Sequence, residues 1–176
     1  MEQAMIVLPV RLTEMLNDVD GARAATLALD FAEHAADLEA EALTEDLRAA
    51  TVEYVAAARE AIASGRATDR LVRAYESFFA AGWKAPGHSE FTSIHDSAVR
   101  FACQDMLIEA GALNKIGRTR LTCQYIARSA QSIVGSRSAE RAAEGVDRRK
   151  ADRAARWEEA RWQIQHVIAT EPNPHE

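Results

Sequence analysis

From Leu27 onward the apolar residues return every three or four positions, and that spacing constrains the fold more than any other feature of the chain. Leu27, Phe31, Ala35, Leu38 and Ala42 fall on one side of a helix. The same rhythm continues in Leu47, Thr51, Tyr54, Val55, Ala58 and Ile62, and again in Leu71, Val72, Tyr75, Phe78 and Phe79. No stretch alternates with the two-residue period of a strand. Alanine supplies about a fifth of the residues, against 8 glycines and 4 prolines, so local propensity agrees with the periodicity. The expected fold is all-α: a single-domain helical bundle of about five to six helices.

Helix boundaries are marked by residues with specific backbone roles. Asp20, Thr44 and Thr68 stand where an N-cap side chain is needed, and Gly65, Gly82, Gly111 and Gly135 stand where a helix would stop. Residues 82–92 (GWKAPGHSEFT) read as a loop, after which Ser93 and Asp96 resemble a capping box opening a fourth helix through Ile94, Ala98, Phe101, Ala102, Met106 and Ile108. A fifth helix carries Leu121, Tyr125, Ile126 and Ile133 inward. Three flanking parts complete the domain (1–176): an N-terminal segment (1–19), a charged connector (136–156) and a terminal helix (157–169) bearing Trp157, Ala160, Ile164, Val167 and Ile168. The connector holds seven bases, four acids and one large apolar residue, Val146, so it is expected as either a solvated helix or a partly disordered connector.

Length and composition exclude several classes. A chain of 176 residues can bury a sufficient core without metal or disulfide. Two cysteines are too few for a secreted disulfide scaffold, and no apolar run approaches the ~20 residues of a membrane span, so a cytoplasmic protein is expected. Cys103 and Cys123 sit among apolar neighbours, where cysteine acts as a small hydrophobe; a pairing of a cysteine with His88 or His95 has no supporting motif. Asp30 and His34, with Glu33 and Asp37 beside them, could offer two metal ligands from one turn, but Glu-x-x-His occurs nowhere in the chain. No catalytic residue, cofactor or metal site is expected.

The net charge of −6 is unevenly placed. Residues 1–60 hold thirteen acids and four bases, whereas the rest holds fourteen acids and seventeen bases. Asp30, Glu33, Asp37 and Glu41 line up along one side of a helix, in a run without lysine or arginine. Like charges at that spacing repel, but a single-sign face speeds the docking of a basic protein partner. Trp83, just after a helix end, is a secondary candidate as an interface anchor. The basic stretch at 137–156 has interspersed acids and no aromatic before Trp157, so nucleic acid is not an expected partner.

The runs LALDFAEHAADLEAEAL (27–43) and DLRAATVEYVAAAREAIASGRA (46–67), with ARWEEARWQIQ (155–165) near the end, occur in an order that resembles the helical immunity proteins of bacterial toxin systems. Phe31 stands where that pattern has cysteine, and SAVRFACQDMLIEAG (97–111) replaces an alanine/histidine-rich helix. The resemblance implies a non-enzymatic protein that binds and blocks a cognate toxin. Two other classes are compatible with the residues: a ligand-binding or catalytic bundle with a pocket lined by Tyr54, Tyr75, Phe79 and Tyr125, and a homo-oligomer joined through Trp157 and Ile164.

Overall fold

The structure is a computed structural model; it describes residues 2–37, 43–85, 90–115 and 118–172. These form seven α-helices and, among the described residues, no strand: α1 (Glu2–Asn17), α2 (Gly21–Asp37), α3 (Glu45–Ser64), α4 (Asp69–Lys84), α5 (Glu90–Glu109), α6 (Cys123–Arg141) and α7 (Arg148–Ala169). The all-α bundle is as expected, but the count of five to six falls short.

The additional helix is α1, which lies within the segment expected as an N-terminal lead-in. Pro9 reads as a stop in the sequence, yet it lies inside the helix. Leu12 and Leu16, four residues apart, bury themselves in the core and reward the helical path despite the backbone bond that proline removes. The charged connector is also mostly helical: α6 runs on to Arg141 and α7 starts at Arg148, with Asp147 as N-cap accepting from the amides of Arg149 and Lys150. Asp147 thus begins a helix one could not place from apolar spacing, because its first two turns carry only charge and alanine.

The expected caps at Asp20, Thr44 and Thr68 all accept a backbone N–H three residues on. Gly65 closes α3 in the left-handed region, at φ 67°, where a side chain would be strained. Gly82 and Gly135 do not stop their helices. Gly82 is buried within α4, and Gly135 is buried within α6 facing α7. A Cβ on Gly135 would come 2.5 Å from Asp152 Oδ1 and 2.7 Å from Arg156 Cγ, so glycine there permits a close helix crossing. The capping box at Ser93 and Asp96 is likewise not formed as expected, since α5 already begins at Glu90. Asp96 is internal to the helix and binds Arg100 at 2.8 Å.

α2 is the centre of the bundle. Ala24, Leu27, Ala28, Leu29, Phe31, Ala32 and Ala35 are all buried, which covers far more than the one stripe read from its periodicity. It packs against α3, α5 and α6 and is held to α7 by side-chain bonds, while α4 leans on α3 at the periphery. Each large apolar side chain so buried contributes about 1.5–3 kcal/mol. Its many alanines are what allow helices to approach it from several sides. Tyr125 is a correction: it is exposed on α6, whose buried face is instead Cys123, Ile126, Ala127, Ala130 and Ile133.

Gly135 gives a direct test of the crossing. Alanine gains up to ~1 kcal/mol of helix propensity over glycine, whereas overpacking at a tight contact costs ~1–3 kcal/mol. Gly135→Ala is expected to lower stability in urea unfolding by about 1 kcal/mol. Gly21→Ala, which meets open space, should be neutral or stabilising. A Gly135→Ala protein at least as stable as the parent would contradict the close packing of α6 on α7.

Candidate functional site

Two places bring chemistry-bearing residues together: a polar clamp between α2 and α7, and the end of the bundle where α4 finishes.

The clamp is built on the acids of α2. Asp30 and Glu33, one turn apart, both accept from Nη2 of Arg59 on α3, Asp30 at 2.6 Å. The other Asp30 oxygen accepts from Nε2 of His166 on α7 at 2.7 Å. Asp30, its side chain 18% exposed, is therefore held between two neighbouring helices, while Glu33 is 41% exposed. These two acids lie on the face read from the sequence as an outward field, and their charge is largely answered from within. The other members of that face stand differently: Asp37 ends α2, with only its backbone described, and Glu41 lies outside the described residues.

His34, one residue after Glu33, turns to α7. Its Nδ1 is hydrogen-bonded to Oε2 of Glu159 at 2.9 Å, and its ring stacks on Trp162 with centroids 3.5 Å apart and planes 5° from parallel. Glu159 is only 2% exposed. Its other oxygen accepts from Gln163 at 3.0 Å, and Gln163 in turn donates to the Ala127 carbonyl and accepts from Gln131 at 2.8 Å. Burial raises the Glu159 pKa, with His34 and Gln163 acting against it. Trp162 also stacks on His166, so α7 presents Glu159, Trp162, Gln163 and His166 as one polar and aromatic strip toward α2 and α6. Nothing in the apolar spacing of the sequence points to this strip. The only sign was a glutamate and a glutamine at three- and four-residue spacing beside Ala160 and Val167.

Between α2, α6 and α7 the clamp leaves an open groove of about 530 Å³ whose walls include His34, Glu159, Trp162, Val134 and Ala155. Among the described residues no three His, Cys, Asp or Glu side chains converge as a metal site.

At the other place, Trp83 is 79% exposed on the last turn of α4. Beside it, Lys84 and Ala85 share a groove of about 460 Å³ with Thr44 and Asp46 at the start of α3. Exposed Glu45 and Asp46 follow the Thr44 cap.

The residues named for other chemistries are more dispersed. Tyr54, Tyr75 and Phe79 do cluster, with Tyr54 and Tyr75 centroids 6.1 Å apart and Tyr75 and Phe79 4.8 Å apart, but Tyr125 projects from α6 and is exposed. Tyr54 reaches Asp96 at 3.5 Å, and burial raises both of their pKa values. Cys103 and Cys123 are buried thiols whose pKa burial pushes up to about 12, so neither is a thiolate at neutral pH. His88 lies outside the described residues. Ile164 packs partly against the core rather than standing free for a second copy. No described helix is long and apolar enough to cross a membrane.

No protein-family model, curated protein or solved structure matches the chain. The functional reading rests on the residues themselves.

Glu159 and Asp96 give a signed pH prediction. Burial raises both pKa values above the unfolded carboxyl range, so the folded state holds these protons more tightly. Their contribution is full below the unfolded pKa values and is lost as pH rises through the folded ones. Urea midpoints of the parent protein, relative to those of Glu159→Gln and Asp96→Asn, should therefore fall as pH rises above the unfolded carboxyl range, about pH 4. Curves that stay parallel would contradict the assigned burial.

Proposed function

We propose that this chain is a non-enzymatic cytoplasmic binding protein of the immunity or inhibitor type, which masks a basic site on a protein partner. The observation that carries the reading is Trp83. A large aromatic side chain, 79% exposed, sits on the last turn of α4, whereas Phe31, Tyr54 and Phe78 are fully buried and Tyr125 is 52% exposed. Tryptophan is a favoured anchor in protein interfaces, and an acidic rim around such an anchor steers a basic partner toward it.

The described acids at that corner are Glu45 and Asp46, opening α3, and the acidic run of the sequence adds Asp37 and Glu41 as further candidates. Asp30 and Glu33 play a lesser part, because a partner must compete with Arg59 for them. The resemblance in sequence order to helical immunity proteins supports the same reading, with a toxin as partner. The buried, protonated thiols give no support to nucleophilic chemistry at either cysteine.

The test is affinity capture with tagged protein in lysate of the native host, eluted along a salt gradient. A single basic protein released by moderate salt is expected. Trp83→Ala should weaken its binding about tenfold or more, and Asp37→Lys with Glu41→Lys should abolish the salt dependence. Unchanged binding by both variants would overturn the proposed surface.

A further inference from the structure

The groove along α7 contains a feature that the docking reading does not use. His34 offers its Nδ1 side to Glu159, and its Nε2 has no partner among the described residues. The ring is about a third exposed and forms part of the wall of the 530 Å³ groove. A carboxylate that fixes one ring nitrogen and leaves the other facing a ligand space is the arrangement by which proteins prepare a histidine to accept a proton.

The setting of Glu159 decides which way the pair leans. With the carboxylate ionised and the imidazole neutral, the pair carries one negative charge at a nearly fully buried site. Desolvation disfavours that charge, as the raised Glu159 pKa indicates. Taking up one proton makes the pair neutral overall. Whether that proton sits as an imidazolium beside a carboxylate or leaves Glu159 protonated, Nε2 of this groove-lining ring then bears a hydrogen. Gln163, itself held by Gln131 and the Ala127 carbonyl, keeps Glu159 from turning away.

Other charged groups nearby are Asp30 and Glu33 on α2, Arg59 on α3, and Glu158, Arg161 and His166 on α7. Asp30, Glu33, Arg59 and His166 are bonded to one another. Glu158 and Arg161 are exposed, of opposite sign, and stand on the groove itself. Its remaining walls are the apolar Trp162, Val134 and Ala155 and the polar Gln165.

We propose that this groove binds a small weak acid, a molecule with an apolar body and an O–H head, and that His34 takes its proton. On binding, the ligand O–H bond breaks and a bond from hydrogen to Nε2 forms. The conjugate oxyanion remains in the groove, facing Nε2–H and the Arg161 guanidinium. The apolar body covers Trp162, Val134 and Ala155. The site shares no residue with the Trp83 surface, so it stands or falls separately from the docking reading.

The probe is 4-nitrophenol, a weak acid that ionises close to neutrality and is coloured only as its anion. Titrating the full chain with it slightly below its own pKa should raise the phenolate band in a saturable way. The same titration should shift the Trp162 indole N–H and the His34 ring signals in NMR spectra. His34→Gln keeps a polar side chain at a partly exposed position, so it should fold normally. It should weaken binding about tenfold or more and remove the phenolate gain. Glu159→Gln should bind the probe while ionising it less. Two outcomes would overturn the proposal: no saturable binding up to the solubility of the probe, or binding with an equal phenolate gain in parent and His34→Gln proteins.

Discussion

The bundle depends on what happens to the polar side chains of its most buried helix. α2 is covered on nearly every side, yet it carries Asp30, Glu33 and His34 in successive positions of one polar strip. An unpaired charge in such a place costs several kcal/mol, so neighbouring helices must supply the partners. Arg59 from α3 and His166 and Glu159 from α7 do so. Arg23, near the start of α2, adds a bond of 2.5 Å to the Val167 carbonyl near the end of α7. The hydrophobic core supplies most of the stabilisation, but it is non-directional. These bonds fix which face of α7 meets α2, and at which register.

That arrangement changes what an acidic run means. In the sequence, Asp30, Glu33, Asp37 and Glu41 form a single-sign line, because a helix projection has no knowledge of the basic residues on other helices. Arg59 lies twenty-six residues beyond Glu33 and His166 lies more than a hundred beyond. Local charge patterns show repulsion; only tertiary structure shows the compensation. Exposed acids also stand at the corner where α3 begins, Glu45 and Asp46, near the end of α4.

The legible parts of the fold were those set by local rules. Leu27, Phe31 and Ala35, the stripe of α3, and the caps at Asp20, Thr44, Thr68 and Gly65 could all be read off because each depends on residues within one or two turns. α1 was missed because Pro9 interrupts its apolar run, and a proline inside a short run reads as a break in a helix. The first half of α7 stayed open between a solvated helix and a disordered connector, because it is charged and buries little until Glu159. Gly135 was misread as a stop because the sequence does not distinguish a terminating glycine from one that admits a neighbouring helix. The clamp was invisible for a related reason. Glu159 and Gln163 are polar residues on a core-facing position, and periodicity counts only apolar ones. His34, which looks from its acidic neighbours like a surface histidine, is stacked on Trp162 and bonded to a buried carboxylate.

The central claim is that the acids of α2 are spent in holding other helices to it. A double-mutant cycle on Asp30 and Arg59, read by urea unfolding of the parent, Asp30→Asn, Arg59→Gln and the combined variant, tests this most directly. The account predicts a favourable coupling of about 1 kcal/mol or more, since the pair is partly screened from water and shares its bonds with Glu33 and His166. A coupling near zero would contradict it, and would return Asp30 to the role of an independent surface charge.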